Sequence, residues 1–312
     1  MKLPNSSTFN FNLFLKYILF PFLVVAIFLG GFFNFIFENK IILSSEISGA
    51  FKVNKIINKT DSNEIAFFGS SRAEGTFVPD SLVKNGFNYG MSGTQDDVLL
   101  FFLKQECKKR KNTPIVFNFD LDGFNYSIGD ISNYLYNSDN SEVKNLLNKK
   151  FKNIYHIPLF KYYGYFETYT KYYLNNKLNL TKFTNKGSSI EKNELIKSKF
   201  NLLVKERLNE RTNFKNDSAL LNEFLSIVRD NENRKFILIV NPYHNSFFNK
   251  FYNYNQALTF LDELRKYPNM VVLNFAKLEF NDDMYLNTSH LNLKGALAFN
   301  KILKDSLKVY TY

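Results

Sequence analysis

From Tyr17 to Phe37 the chain carries no charge, and Asn34 is the one clearly polar side chain in YILFPFLVVAIFLGGFFNFIF. A bilayer-spanning helix needs about 20 such residues. Lys2 and Lys16 precede the run, and Glu38 and Lys40 follow it. That charge bias favours an N-terminus on the cytoplasmic side. A cleaved signal would have a shorter apolar stretch ending in small residues, which FFNFIFENK does not offer. Residues 1–40 are therefore expected to be a short cytoplasmic tail and an uncleaved single-pass anchor. Everything after them would lie outside the cytoplasmic membrane.

Beyond the anchor the pattern changes twice. Residues 41–62 are polar and mildly helical, as a juxtamembrane connector would be. From residue 63 onward, short apolar runs bounded by turn residues predict strands at Glu64–Phe68, Gly86–Tyr89, Pro114–Phe119, Arg234–Val240 and Met270–Phe275. Continuous apolar runs are typical of parallel strands covered on both faces. Helical periodicity lies between or after them at Gln95–Arg110, Tyr254–Tyr267 and Leu293–Leu307. Strands alternating with helices predict a three-layer α/β/α sandwich with a parallel, flavodoxin-like sheet over 63–312. Residues 124–233 interrupt the rhythm with a Tyr-, Asn- and Lys-rich insertion that has helical stretches at Leu195–Arg211 and Ala219–Arg229. An insertion of that length serves as a cap, a lid or a partner-binding face. Its tyrosines either form a sugar-binding platform or pack a small helical subdomain.

Composition changes this picture little. At 312 residues and 45% apolar, the chain can bury a full core. A net charge of +11 invites a nucleic-acid partner, but the lysines are scattered. The one basic run, Lys108 to Lys111, ends an expected helix, where cations suit the dipole and a solvated face is the simple reading. No nucleic-acid partner is expected. Cys107 is the single cysteine, so no disulfide framework exists, and packing is its expected role. No His/Cys/Asp spacing resembles a metal ligand set, and the turn at Gly69 lacks a nucleotide fingerprint, so neither metal nor cofactor is expected.

Chemistry gathers where the strands end. Gly69-Ser70-Ser71-Arg72 follows the first strand, and Asn88-Tyr89-Gly90-Met91-Ser92-Gly93-Thr94-Gln95 the second. Asp120-Leu121-Asp122-Gly123 follows the third, Asn241-Pro242-Tyr243-His244 the fourth, and Asn287-Thr288-Ser289-His290-Leu291-Asn292 the fifth. A doubly wound sheet brings all five to its carboxyl rim. A serine there, at a helix start, has amides that could face an oxyanion, and it becomes nucleophilic only beside a base. His290 is the natural base, His156 and His244 being the other histidines.

The arrangement resembles the SGNH (GDSL-type) hydrolase superfamily over residues 64–123 and 234–307. Within it, the membrane-anchored envelope branch of alginate O-acetyltransferase-like proteins and the D-alanine transfer protein of teichoic acids is most similar. The resemblance implies that Ser71 is the nucleophile, that Gly93 supplies an oxyanion amide with Asn88 holding its loop, and that His290 is the base. It also implies an acyl-ester or envelope-polysaccharide substrate, a bacterial cytoplasmic-membrane location and a multispanning membrane acyltransferase as partner. Two positions depart from the family pattern. Asn287 stands where the triad aspartate belongs, and Asp122 stands where an oxyanion-hole asparagine belongs. Asp282, Asp283 or a backbone carbonyl could orient the imidazole instead.

Each residue also has a plainer reading. Ser70 and Ser71 could cap the following helix. Arg72 could pair with Glu74 or Asp122, or grip an anionic substrate group. Asp120 and Asp122 could polarise the site or tie loops together. His244 could reach the rim or serve its own loop, and His156 is expected to be structural. The two functional readings are a Ser–His acyl-ester hydrolase or O-acyltransferase and a catalytically degenerate module that binds or scaffolds envelope glycan.

Overall fold

The computed structural model describes residues 11–125, 131–137, 139–150, 162, 164–192, 202, 213–249 and 251–311. The expected helix at Leu195–Arg211 and His156 lie outside them. A five-stranded parallel sheet forms the centre: β1 (Ile65–Phe68), β2 (Gly86–Asn88), β3 (Ile115–Asn118), β6 (Phe236–Val240) and β7 (Met270–Asn274), in the order β2-β1-β3-β6-β7. In register, Phe67 pairs with Asn88 and Val116, and Phe117 with Leu238. Counting sheet strands alone, the order is 2-1-3-4-5, the flavodoxin-like doubly wound topology. Alternation along the strands sorts the core onto two faces. Ala66, Phe68, Phe117, Leu238 and Val240 point to one cluster; Phe67, Val116, Ile237 and Ile239 point to the other. Helices Gly49–Asn58, Asp96–Cys107, Ser218–Arg229 and Tyr254–Leu264 bury residues on the first face, and Leu293–Thr311 covers the second. Helices on both faces leave the rim at the strand ends as the open side.

Among the described residues a single helix, Phe11–Ile42, is apolar enough to cross a membrane. At 1.5 Å per residue its 32 residues span about 48 Å, more than the roughly 30 Å of a hydrocarbon core. The surplus enters the body. Phe20, Phe28 and Phe35 are exposed, whereas Phe37 and Ile42 are buried. Phe37 stacks on Phe166 at 5.1 Å and meets Tyr162 edge-on at 5.1 Å, and the Tyr162 hydroxyl donates to Glu38.

Within residues 41–62 the helix Gly49–Asn58 buries Ala50, Val53, Ile56 and also Lys52 against the α/β body. The polar letters misled because Lys52 points inward to a partner. The basic run is a solvated face only in part: Lys108 and Arg110 are exposed. Lys109 and Lys111 turn in towards Glu106, at 3.2 and 2.5 Å, and Arg234 joins them at 3.2 Å. Glu106 is fully buried, so the cations answer a core carboxylate rather than solvent.

The insertion divides by function in the fold. β4 (Lys182–Asn185) and β5 (Ser188–Glu191) form an antiparallel hairpin whose Lys186 carbonyl accepts from the Asn88 amide at 2.8 Å, covering the β2 edge. Tyr162 and Tyr169 are buried, and Tyr165 and Tyr172 pack against the core cluster. The described tyrosines thus follow the packing alternative rather than a sugar platform.

Candidate active site

Gly69 ends β1 with φ +143°, and a Cβ there would sit 2.7 Å from the Ala73 Cβ and 2.9 Å from that of Asn118. Only glycine turns the chain at this closeness. The turn then separates two neighbouring serines. Ser70 is the N-cap of the short helix Ser71–Glu74, accepting from the Arg72 amide at 3.3 Å and donating to Asp120 Oδ2 at 2.7 Å. The capping reading describes Ser70. Ser71 faces the opposite way: its Oγ lies 2.8 Å from His290 Nε2, across 219 positions of sequence.

The imidazole's tautomer follows from its other side. Asn287 Oδ1 accepts from the amides of Ser289 at 2.9 Å and His290 at 3.0 Å, so that atom is the carbonyl oxygen of the amide. His290 Nδ1 lies 3.0 Å from the same oxygen and must carry the hydrogen to bond it. Nε2 is then left unprotonated, facing the Ser71 hydroxyl, which donates to it. Ser289 Oγ, 3.1 Å from Nδ1, completes the contact. The proposed substitutes for an acid are engaged elsewhere. Asp282 bonds His244 Nε2 at 3.1 Å, and Asp283 pairs with Lys294. Asn287 orients the ring as an aspartate would, but supplies no charge to balance an imidazolium.

Arg72 lines the cavity that holds Ser71 and His290, and its ion pair is with Asp120 rather than Glu74 or Asp122. The Arg72 side chain is 5% exposed. It donates to Asp120 Oδ1 at 3.0 Å, to the Ser289 carbonyl at 2.8 Å, and to the carbonyls of Asn241 and Pro242 at 2.9 and 3.1 Å, and it lies 3.5 Å over the Tyr243 ring. One cation thereby ties the ends of β1, β3 and β6 to the turn that carries His290. His244, by contrast, serves its own loop. It caps the helix Asn245–Phe248, its Nδ1 receiving the Ser246 amide at 3.2 Å and lying 2.7 Å from Ser246 Oγ. It does not line the cavity described next.

Ser71, His290, Gly93, Asp120, Asp122 and Tyr243 share one cavity of about 710 Å³, within the range of small-molecule sites. Asp96, Asn125 and Lys215 add polar walls. Asn88 holds the glycine loop beside it. Buried, it donates to the carbonyls of Ala73 and Phe77 and accepts from the Gly90 amide at 2.8 Å. Gly93, at φ +74°, reaches the cavity wall.

Asp120 is a loop hub, held by Ser70, Arg72 and Asn118. Asp122 differs. Burial, and next the charge of Asp120, push its carboxyl up to about 7. An acid there is half-protonated near neutrality, so it is not the fixed anion that its type suggests. Among the described residues no group of His, Cys, Asp and Glu is arranged to hold a metal ion.

No family model and no curated protein matches the chain. Among solved structures, a Streptococcus pneumonia protein given the provisional description of a platelet activating factor aligns over 88% of this chain and 96% of its own, with 15% identity and a TM-score of 0.41.

Sequence reasoning missed Lys52 and Glu74 as parts of this neighbourhood. The available signal was a lysine on the apolar face of an amphipathic helix: Lys52 sits between Val53 and Ala50, with Ile56 one turn on.

Proposed function

We propose that the chain is a membrane-anchored serine acyl-ester hydrolase or O-acyltransferase acting on cell-envelope polysaccharide, with Ser71 as nucleophile and His290 as base. The observation that carries this reading is the 2.8 Å contact of Ser71 Oγ with an imidazole nitrogen whose opposite nitrogen is held by Asn287. Ser71 Oγ attacks the ester carbonyl as its proton passes to His290 Nε2. The amides of Ser71 and Gly93 are the donors for the resulting oxyanion. Collapse expels the alcohol, which takes the proton back from His290 and leaves an acyl group on Ser71. Water or a sugar hydroxyl then attacks that acyl group by the same route in reverse, giving hydrolysis or transfer. A polar cavity of some 710 Å³ suits a sugar-bearing ester. The Phe11–Ile42 helix supports a membrane anchor, and the lysines before it favour a site on the extracytoplasmic side. On this reading a multispanning acyltransferase in the same membrane supplies the acyl group.

The second reading, a glycan-binding module without catalysis, is favoured by the amide at 287. The corresponding acid-to-amide change costs about 10⁴ in rate in a serine protease. The test uses the full chain in detergent with a chromogenic acetyl ester and acetylated polysaccharide. The enzyme reading expects turnover that Ser71→Ala removes while the fold persists. Glycan binding without Ser71-dependent turnover supports the second reading instead.

A further inference from the structure

Lys52 belongs to the helix that directly follows the membrane helix, yet its Nζ is fully buried under the active-site rim. It donates to the Gly90 carbonyl and lies 3.3 Å from Glu74 Oε1. Glu74 closes the four-residue helix that Ser71 opens. Its second oxygen, Oε2, accepts from the Ser92 amide at 2.8 Å and from the Ser92 hydroxyl. The next residue is Gly93, on the cavity wall. Glycine is required at 90 for the same closeness, since a Cβ there would stand 2.6 Å from the Glu74 amide.

We propose that Lys52 is a positioning residue: through Glu74 it latches the 90–94 loop to the Ser71 turn, so that the membrane-proximal helix completes the active site. The inference deepens the acyl-transfer reading and rests on it for its kinetic consequence. A buried ammonium and carboxylate are costly to desolvate, and a well-packed apolar pair could replace them with no loss of stability. What an apolar pair could not do is hold the Ser92 amide and the Gly90 carbonyl at once. Lys52 orients the carboxylate that bridges the two loops. Without it, the loop bearing Gly93 loses its fixed distance from Ser71, and an oxyanion donor works only when preorganised. A chain shortened to begin at residue 63 would lack the latch entirely.

The experiment compares the full chain in detergent with K52M and the double variant K52M/E74L. Removing one partner leaves a buried charge, so K52M is expected to be destabilised, whereas the double variant regains stability. The double variant is nevertheless expected to lose about tenfold or more in kcat with KM little changed, the pattern of a lost transition-state contact. Its Ser92 amide is also expected to exchange with solvent at least tenfold faster than in the wild type. A double variant with kcat within twofold of wild type, or with unchanged exchange at 90–94, overturns the proposal. If the wild type itself shows no Ser71-dependent turnover, the acyl-transfer reading fails, and the exchange measurement alone decides whether the latch exists.

Discussion

Two histidines stand beyond the ends of β6 and β7, and each has a serine on one ring nitrogen. His244 has the better-looking set on paper: Ser246 at one nitrogen and a carboxylate, Asp282, at the other. His290 has Ser71 at one nitrogen and no carboxylate at the other, only the Asn287 amide and the Ser289 hydroxyl. The arrangement around His244 is local, capping a one-turn helix at a surface where Asp282 is 59% exposed. That around His290 is assembled from both ends of the chain and opens into the cavity. Residue types alone would favour His244. What separates them is where the hydroxyl comes from: a serine two residues away belongs to the helix turn that His244 caps, whereas a serine 219 positions away is held there by the whole fold.

The widest expected gap between the two is in turnover. His290→Ala should cost about 10³-fold or more in kcat/KM for an acetyl ester. His244→Ala should leave the rate within about threefold and remove only a cap, worth about 1 kcal/mol in a denaturation curve. Arg72→Ala should unlatch the frame that brings His290 to Ser71. Leaving Asp120 without its buried partner should lower unfolding stability by about 3–5 kcal/mol, read from the denaturant midpoint. The comparison can also be inverted. Asn287→Asp would give His290 the carboxylate that His244 already has, while an aspartate oxygen can still accept the amides of Ser289 and His290. A rise in kcat of about tenfold or more is expected, as the imidazolium gains a counter-charge. An unchanged rate would mean that charge at this position is irrelevant.

A further effect, read in stability rather than turnover, concerns Asp122. Its folded carboxyl titrates near 7, well above an unfolded aspartate, so between those values the native state binds more protons than the unfolded one. Stability contributed by this group is therefore greatest at acid pH and is lost as pH rises through 7. Asp122→Asn should therefore stabilise the protein more at pH 8 than at pH 5, by about 2–3 kcal/mol. Melting curves at the two values check it.

Much of the fold was legible. Apolar runs such as FILIV and IAFF, bounded by turns and separated by helical periodicity, place all five sheet strands to within two residues at each end. Four of the five strands are buried on both faces, and the edge strand β7 leaves Val271 and Leu273 half-buried. The pairing of Ser71 with His290 was legible only through motif context, since nothing local to either residue points to the other. The supporting charges were not legible. Lys52, Lys109 and Lys111 look solvent-facing as letters, and their inward turn depends on buried carboxylates elsewhere in the chain. Arg72 was visible as a candidate, but its role was set by three carbonyls that no side-chain pattern encodes.

The central claim is that the hydroxyl facing His290 is a nucleophile. Its most direct test is to incubate the full chain with an activated acetyl ester, quench, and map the acylated peptide by mass spectrometry. The account predicts an acetyl group on Ser71, absent in Ser71→Ala and slowed in His290→Ala, with Ser70 and Ser246 unmodified. A folded protein that carries no label at Ser71 and shows no turnover would contradict it.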